Sequence, residues 1–201
     1  MQTHIIHTSN LSADQNASLY WQQLVSRKAE FHDRMGWDIP CMGAPSVAPD
    51  ADEGLAEADI YDRLDTYYVI ASDGDGHLKG NARLIRTTAA FAAGTTEWSY
   101  MVRDATRGLL PGMPENLSHY TPVSSDVWEM SRFQAEDAKT TIALFRAAAQ
   151  FLKSQGATGT VAFSRSGFVK LLTRIGYPSE QVGPDVYYDG KPYTAIKSEI
   201  P

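Results

Sequence analysis

The chain has 201 residues, 43% of them apolar, and a formal net charge of −6 from 18 basic and 24 acidic side chains. That length is enough for a well-buried core and is expected to form a single domain over residues 1–201. The acidic balance gives no reason to expect a nucleic-acid partner, and no stretch approaches the ~20 apolar residues of a membrane span.

Residues 2–8 read as a short strand. A helix is expected from about Asp14, a candidate N-cap, to Arg34, with Ala17, Trp21, Leu24, Val25 and Phe31 as its apolar face. Gly36 and Pro40 end it. Residues 38–65 read as irregular: Pro45, Pro49 and Gly54 break any pattern, and seven acids lie between Asp50 and Asp65. Leu55, Ile60 and Tyr61 give the second half of this segment something to pack. Thr66–Ala71 and His77–Thr87 flank a Ser-Asp-Gly-Asp-Gly turn and form a β-hairpin. Residues 88–124 are a long connection, with a helix near Tyr100–Leu109. Val127–Phe133 is a strand. Ala138, Ile142, Phe145, Ala149 and Leu152 step by four and three, an amphipathic helix that Gly156 ends. Thr158–Ser164 is a strand, and Phe168, Leu171, Leu172 and Ile175 mark a helix closed by Gly176. Strands at 181–188 and 192–198 flank a turn at Asp189-Gly190. The pattern predicts a three-layer α-β-α sandwich with a mixed central sheet.

Charge is unevenly spread. From Met1 to Asp65 there are 4 basic and 11 acidic residues; from Arg132 to Arg174 there are 7 basic and 2 acidic ones. The first segment suits a cationic ligand and the second an acidic partner, unless both are ordinary solvated faces. The one cysteine, Cys41, forms no internal disulfide and is expected to be inert. The N-terminus lacks a signal-peptide pattern, so a cytoplasmic location is expected. His4-x2-His7 has no third ligand beside it, and no metal site is expected.

Four stretches carry a resemblance. They are Arg27-x3-Phe31-x2-Arg34-x2-Trp37; Glu57-x-Asp59-x-Tyr61-Asp62 followed by Thr66-x-Tyr68; Gly80-x-Ala82-Arg83-Leu84-x2-Thr87; and Trp128-Glu129-Met130-Ser131-Arg132-Phe133. In this order and spacing they resemble the acyl-homoserine-lactone synthases, the LuxI-type autoinducer synthases. A weaker likeness continues through Leu171-x2-Arg174-x-Gly176-Tyr177 and Gly183-Pro184. The family's fold is similar to that of the GNAT-type N-acetyltransferases. The sequence departs from the family pattern at Arg86, usually Pro, and in lengthened segments at 38–56 and 88–124.

The resemblance implies an acyltransferase that joins S-adenosyl-L-methionine, a substrate and not a cofactor, to an acyl thioester. The donor is an acyl-carrier protein or acyl-coenzyme A. No Arg/Gln-x-x-Gly-x-Gly/Ala pyrophosphate turn is present, which favours the carrier protein. Glu129 and Arg132 are the implied catalytic residues. Arg27, Phe31, Trp37, Asp59, Asp62, Arg83 and Ser131 are implied for the S-adenosylmethionine pocket and its ion-pair network, with Arg83 paired among Asp59 or Asp62, Glu129 and Arg132. On residues alone, Asp59 and Asp62 also fit a solvated acidic loop, and Arg83 an outward-facing strand position. Glu129 and Arg132 have opposite parity, so a regular strand separates them; both reach one site only if the strand bulges or one reaches round its end. A same-fold N-acyltransferase acting on another amine and a non-catalytic ligand-binding relative are the alternative readings. Release of methylthioadenosine distinguishes them.

Overall fold

In a computed structural model of the protein, residues 1–11, 14–37, 56–62 and 65–201 are described. The expectations placed on Pro40, Cys41, Pro45, Pro49, Gly54 and Leu55, and on the Asp14 side chain, lie outside the described residues. The elements are β1 (Gln2–His7), α1 (Asp14–Arg27) running on as a π-helical stretch (Lys28–Arg34), β2 (Tyr67–Ser72), β3 (Leu78–Arg86), β4 (Phe91–Ala93), β5 (Thr96–Trp98), α2 (Met101–Thr106), β6 (Val127–Ala135), α3 (Ala138–Ser154), β7 (Gly159–Arg165), α4 (Gly167–Arg174), β8 (Ser179–Gln181), β9 (Val186–Tyr188) and β10 (Lys191–Glu199). This is an α/β fold whose strands pair both parallel and antiparallel. No helix among the described residues is long and apolar enough to cross a membrane. The chain forms two compact units: Met1–Leu84 with Arg132–Ala148, and Ile85–Ser131 with Ala149–Pro201.

In the first unit β2 pairs antiparallel with β1, from Gln2↔Ser72 to His7↔Tyr67, and with β3, from Tyr67↔Leu84 onward. The hairpin is the one expected. β3 in turn borders β6. Leu19, Tyr20 and Leu24 of α1 pack with Ile6, Ala58, Tyr68 and Ile70. Of the helix face expected from hydropathy, Leu24 and Phe31 are buried, but Ala17, Trp21 and Val25 are only half-buried. The buried stripe also contains Gln23 and Arg27. A polar cluster occupies the helix's inner side and rotates its buried face away from the purely apolar stripe. The π geometry shifts the register again: backbone hydrogen bonds reach five residues back, as from Met35 N to Glu30 O. Arg34 therefore leaves the Arg27–Phe31 stripe and pairs at the surface with Glu30.

In the second unit β7 runs parallel to β6, from Val127↔Gly159 to Glu129↔Val161, and antiparallel to β10. The 88–124 connection holds α2 as expected, together with an unforeseen β4–β5 hairpin turning through Gly94 at φ +62. Strands of three residues are too short to show a periodicity. The single strand expected at 181–188 is instead two, β8 and β9, each paired to β10. The interruption is at Gly183-Pro184. Pro184 has no N–H to donate, and Gly183 passes so close to Leu117 that a Cβ would lie 1.8 Å from its carbonyl oxygen. Backbone faces backbone here, so neither side can yield by a rotamer change. Gly183→Ala is expected to lower unfolding stability by about 2–3 kcal/mol in urea titration, the range for overpacking. Gly74→Ala, where nothing lies within 4 Å of the added atom, is the matched control and should be near neutral.

Candidate active site

The first unit buries three guanidinium and three carboxylate groups together. Arg27 donates to both oxygens of Asp62, Nη1 to Oδ1 and Nη2 to Oδ2, each at 2.8 Å, and Nη2 also reaches Asp59 at 3.3 Å. Arg83 Nη1 donates to Asp59 at 2.5 Å and to Asp62 at 3.1 Å. Arg132 Nη2 donates to Asp59 at 2.9 Å and lies 2.5 Å from Glu57 Oε1. A turn lets Asp59 and Asp62 face the same side: Asp62 N–H donates to the Asp59 carbonyl at 3.0 Å, and Asp59 N–H to the Asp62 carboxylate at 2.7 Å. Tyr68 O–H donates to Asp62 at 2.6 Å. The solvated-loop reading of Asp59 and Asp62 and the outward-facing reading of Arg83 are excluded, because the side chains of all three are buried.

Burial by itself would raise the Asp62 pKa, but the charges of Arg27 and Arg83 outweigh it and hold the carboxyl well below its ordinary value. Burial would lower Arg27, yet Asp62 and Asp59 raise it above an ordinary arginine. Arg132 differs: burial lowers its pKa, and Asp59 and Glu57 offset that only in part. Of the three arginines it is the one whose pKa lies below the ordinary arginine value. Its Nε and Nη1 are buried without a hydrogen-bond partner among the described residues. Its guanidinium lies 4.7 Å from the Phe31 ring centroid and 5.4 Å from that of Trp37. Those two rings stack 5.2 Å apart. The stacking follows from the helix end: Gly36, at φ +66, reverses the chain so that Trp37 N–H returns to the Phe31 carbonyl at 2.9 Å.

Arg132 also marks an irregularity in β6. It has φ +54, a left-handed backbone rare for a side chain of this size. The strand's two-residue alternation is broken at this position, the kind of irregularity that the spacing of Glu129 and Arg132 demands.

In the second unit Glu129 is fully buried, and its carboxylate accepts the N–H groups of Met101 at 3.1 Å and Val102 at 2.8 Å. It satisfies two donors at the start of α2, where Tyr100 provides no side-chain cap. Trp128 of the same strand stacks under the Arg86 guanidinium at 4.3 Å, and Arg86 donates to Gln155 at 3.2 Å. Arg86, one of the departures from the family pattern, is thus tied down by packing. Ser131 is buried on β6. Val161 and Phe163 of β7 and Leu152 of α3 are buried in the same unit.

Hydropathy and spacing missed Glu57. Its signal was available: it sits two residues before Asp59 in the matched stretch, and the structure places it against Arg27 and Arg132. Gln23 and Asn81 are further buried polar groups around the cluster that carried no signal of their own, and Tyr68, quoted in the matched Thr66-x-Tyr68 stretch, joins them.

Comparison with known proteins is consistent with this geometry. The autoinducer synthase family profile matches residues 11–191. An acyl-homoserine-lactone synthase of Acinetobacter nosocomialis is 30% identical over 173 residues, covering 80% of each chain. The crystal structure of TofI in a ternary complex with an inhibitor and MTA superposes with a TM-score of 0.73 at 28% identity, covering 100% of this chain and 92% of that one. An acyl-CoA N-acyltransferase from Pseudomonas aeruginosa, at 15% identity and a TM-score of 0.52, covering 98% of this chain and 99% of that one, shares the fold. The chain belongs to the autoinducer synthase family and is an acyltransferase.

Proposed function

We propose that the chain, acting as one catalytic domain, makes an N-acyl-L-homoserine lactone quorum-sensing signal. The substrates are S-adenosyl-L-methionine and an acyl thioester, and methylthioadenosine is released. The observation that carries this reading is Arg132, a buried cation with unused donors beside two stacked aromatic rings. A methionyl carboxylate matches such donors, because charge-assisted hydrogen bonds are the strong ones. The rings suit the flat adenine and the sulfonium cation. Glu57, Asp59 and Asp62 supply negative charge toward the cationic centres, and Arg27 and Arg83 hold those carboxylates in place. TofI, crystallised with MTA, is consistent with this assignment.

In the reaction, Glu129 takes a proton from the ammonium of S-adenosylmethionine, directly or through a water. The free amine attacks the thioester carbonyl, backbone N–H groups hold the oxyanion, and the thiol leaves as the amide forms. The methionyl carboxylate then attacks its own γ-carbon and displaces methylthioadenosine. The sulfonium is already a good leaving group, so the protein's contribution to this step is to fold the chain for ring closure. The acyl donor is a carrier-protein thioester in preference to acyl-coenzyme A. Lys170 and Arg174, exposed one turn apart on α4, offer positive charge to an acidic carrier. Added salt should then raise the carrier substrate's KM.

Mass spectrometry of culture extract from a host expressing the chain should show an N-acyl-homoserine lactone and identify its acyl group. No lactone, together with no methylthioadenosine from the purified protein, would overturn the reading. Glu129→Gln keeps one carbonyl acceptor for the α2 N–H groups and should cost only about 1–2 kcal/mol of stability. It should cut turnover roughly 100-fold or more with the KM for S-adenosylmethionine little changed. Near-normal turnover removes Glu129 from the base role. Asp62→Asn should instead reduce stability and activity together, by about 3–5 kcal/mol in unfolding, because it strands buried cations. Asp62's contribution is present above the unfolded carboxyl pKa, about 4, and is lost as pH falls through the lower folded value. The variant's acid unfolding limb should therefore be flatter than the wild type's.

A further inference from the structure

The left-handed backbone of Arg132 is an unfavourable conformation for a long side chain, and it persists only if its surroundings enforce it. Two neighbouring positions on β3 do so. Gly80 brings backbone against β6 just past Arg132: an added Cβ would lie 2.6 Å from the Gln134 carbonyl oxygen and 3.0 Å from the Ala135 Cα. Asn81, fully buried, donates its side-chain Nδ2 to the carbonyl oxygen of Arg132 at 3.0 Å. From the other side, α1 grips the same stretch. Ser26 O–H donates to Gln134 Oε1 at 2.6 Å, and Gln134 Nε2 returns a bond to the Ser26 carbonyl at 3.3 Å. Ser26 immediately precedes Arg27 of the ion cluster.

We propose that Asn81 is a positioning residue for the reaction: by holding the Arg132 carbonyl it keeps that backbone left-handed and so keeps the guanidinium over Phe31 and Trp37. A fully buried amide needs such a reason, since desolvating it is unfavourable unless it is bonded. The Asn81 Oδ1 stays buried with no partner among the described residues. A purely stabilising core position would be better filled by an apolar side chain of the same volume. The distinction is therefore between a residue that stabilises the fold and one that directs Arg132.

This rests on the proposed S-adenosylmethionine chemistry, and the experiment separates the two claims. Wild-type protein, Asn81→Leu and Asn81→Ala are compared by methylthioadenosine release, with S-adenosylmethionine and carrier-protein thioesters from butyryl to dodecanoyl varied in turn. Binding of S-adenosylmethionine alone is measured by calorimetry, and thermal unfolding by circular dichroism. Leu fills the site without a donor, and Ala admits a water that can donate in Asn81's place. For Asn81→Leu the KM and Kd for S-adenosylmethionine should rise about tenfold or more, the scale of a buried acceptor losing its donor, while the acyl-donor KM stays within about twofold. Asn81→Ala should fall between Leu and wild type. A folded Asn81→Leu protein with unchanged S-adenosylmethionine KM and Kd overturns the positioning role, even if its Tm or kcat has fallen. If Asn81→Leu does not fold, the same comparison is read on Asn81→Ala, with an unchanged Kd overturning the role. A wild-type protein that neither binds S-adenosylmethionine nor releases methylthioadenosine defeats the underlying reading itself.

Discussion

The fork-to-fork pairing of Arg27 with Asp62 is the constraint on which the first unit depends. Both side chains are removed from water, and a lone charge there would be severely penalised. Once Arg27 is buried on α1, Asp62 must be brought to it; once both aspartates are in place, Arg83 and Arg132 must arrive to balance them. Three cations against three anions leave the cluster neutral. All three guanidiniums meet carboxylates at close range, and Arg132 in addition keeps two unbonded nitrogens among the described residues and lies against the Phe31 and Trp37 rings. The cluster is therefore both a lock on the fold and a set of unused donors gathered at one guanidinium.

Glu129 performs a second task beside the chemistry assigned to it. Its carboxylate takes the first two N–H groups of a six-residue helix that has no cap of its own. A short helix is marginal without tertiary support, so the same group that is proposed to move a proton also orders Met101 and Val102. The two roles are compatible because a fixed carboxylate presents a fixed geometry to whatever approaches it.

Much of the architecture was legible from the residues. The hairpin at residues 66–87 declared itself through β-rich strands flanking a Gly-Asp turn, and α3 through its four-three spacing. The order of four motif stretches pointed to the six-charge cluster, apart from Glu57. What could not be read had physical causes. The inner face of α1 is polar where hydropathy looks for apolar residues, because Gln23 and Arg27 belong inside. The π geometry, which no residue pattern announced, puts Arg34 at the surface beside Glu30 while Phe31 is buried. Parity asked for a bulge in β6, or a reach round the strand's end, if Glu129 and Arg132 were to share a site, but could not say that the backbone irregularity sits on Arg132 itself. Three-residue strands such as β4 and β5 offer too few positions for any alternation to register.

The π-helical stretch has a bearing on how this chain can change length. Closing each turn over five residues stores one more residue per turn than an ordinary helix would. Deleting one residue between Lys28 and Arg34 would let the segment relax to α geometry with little net rotation of the chain that follows, because the wider turn already absorbs that residue.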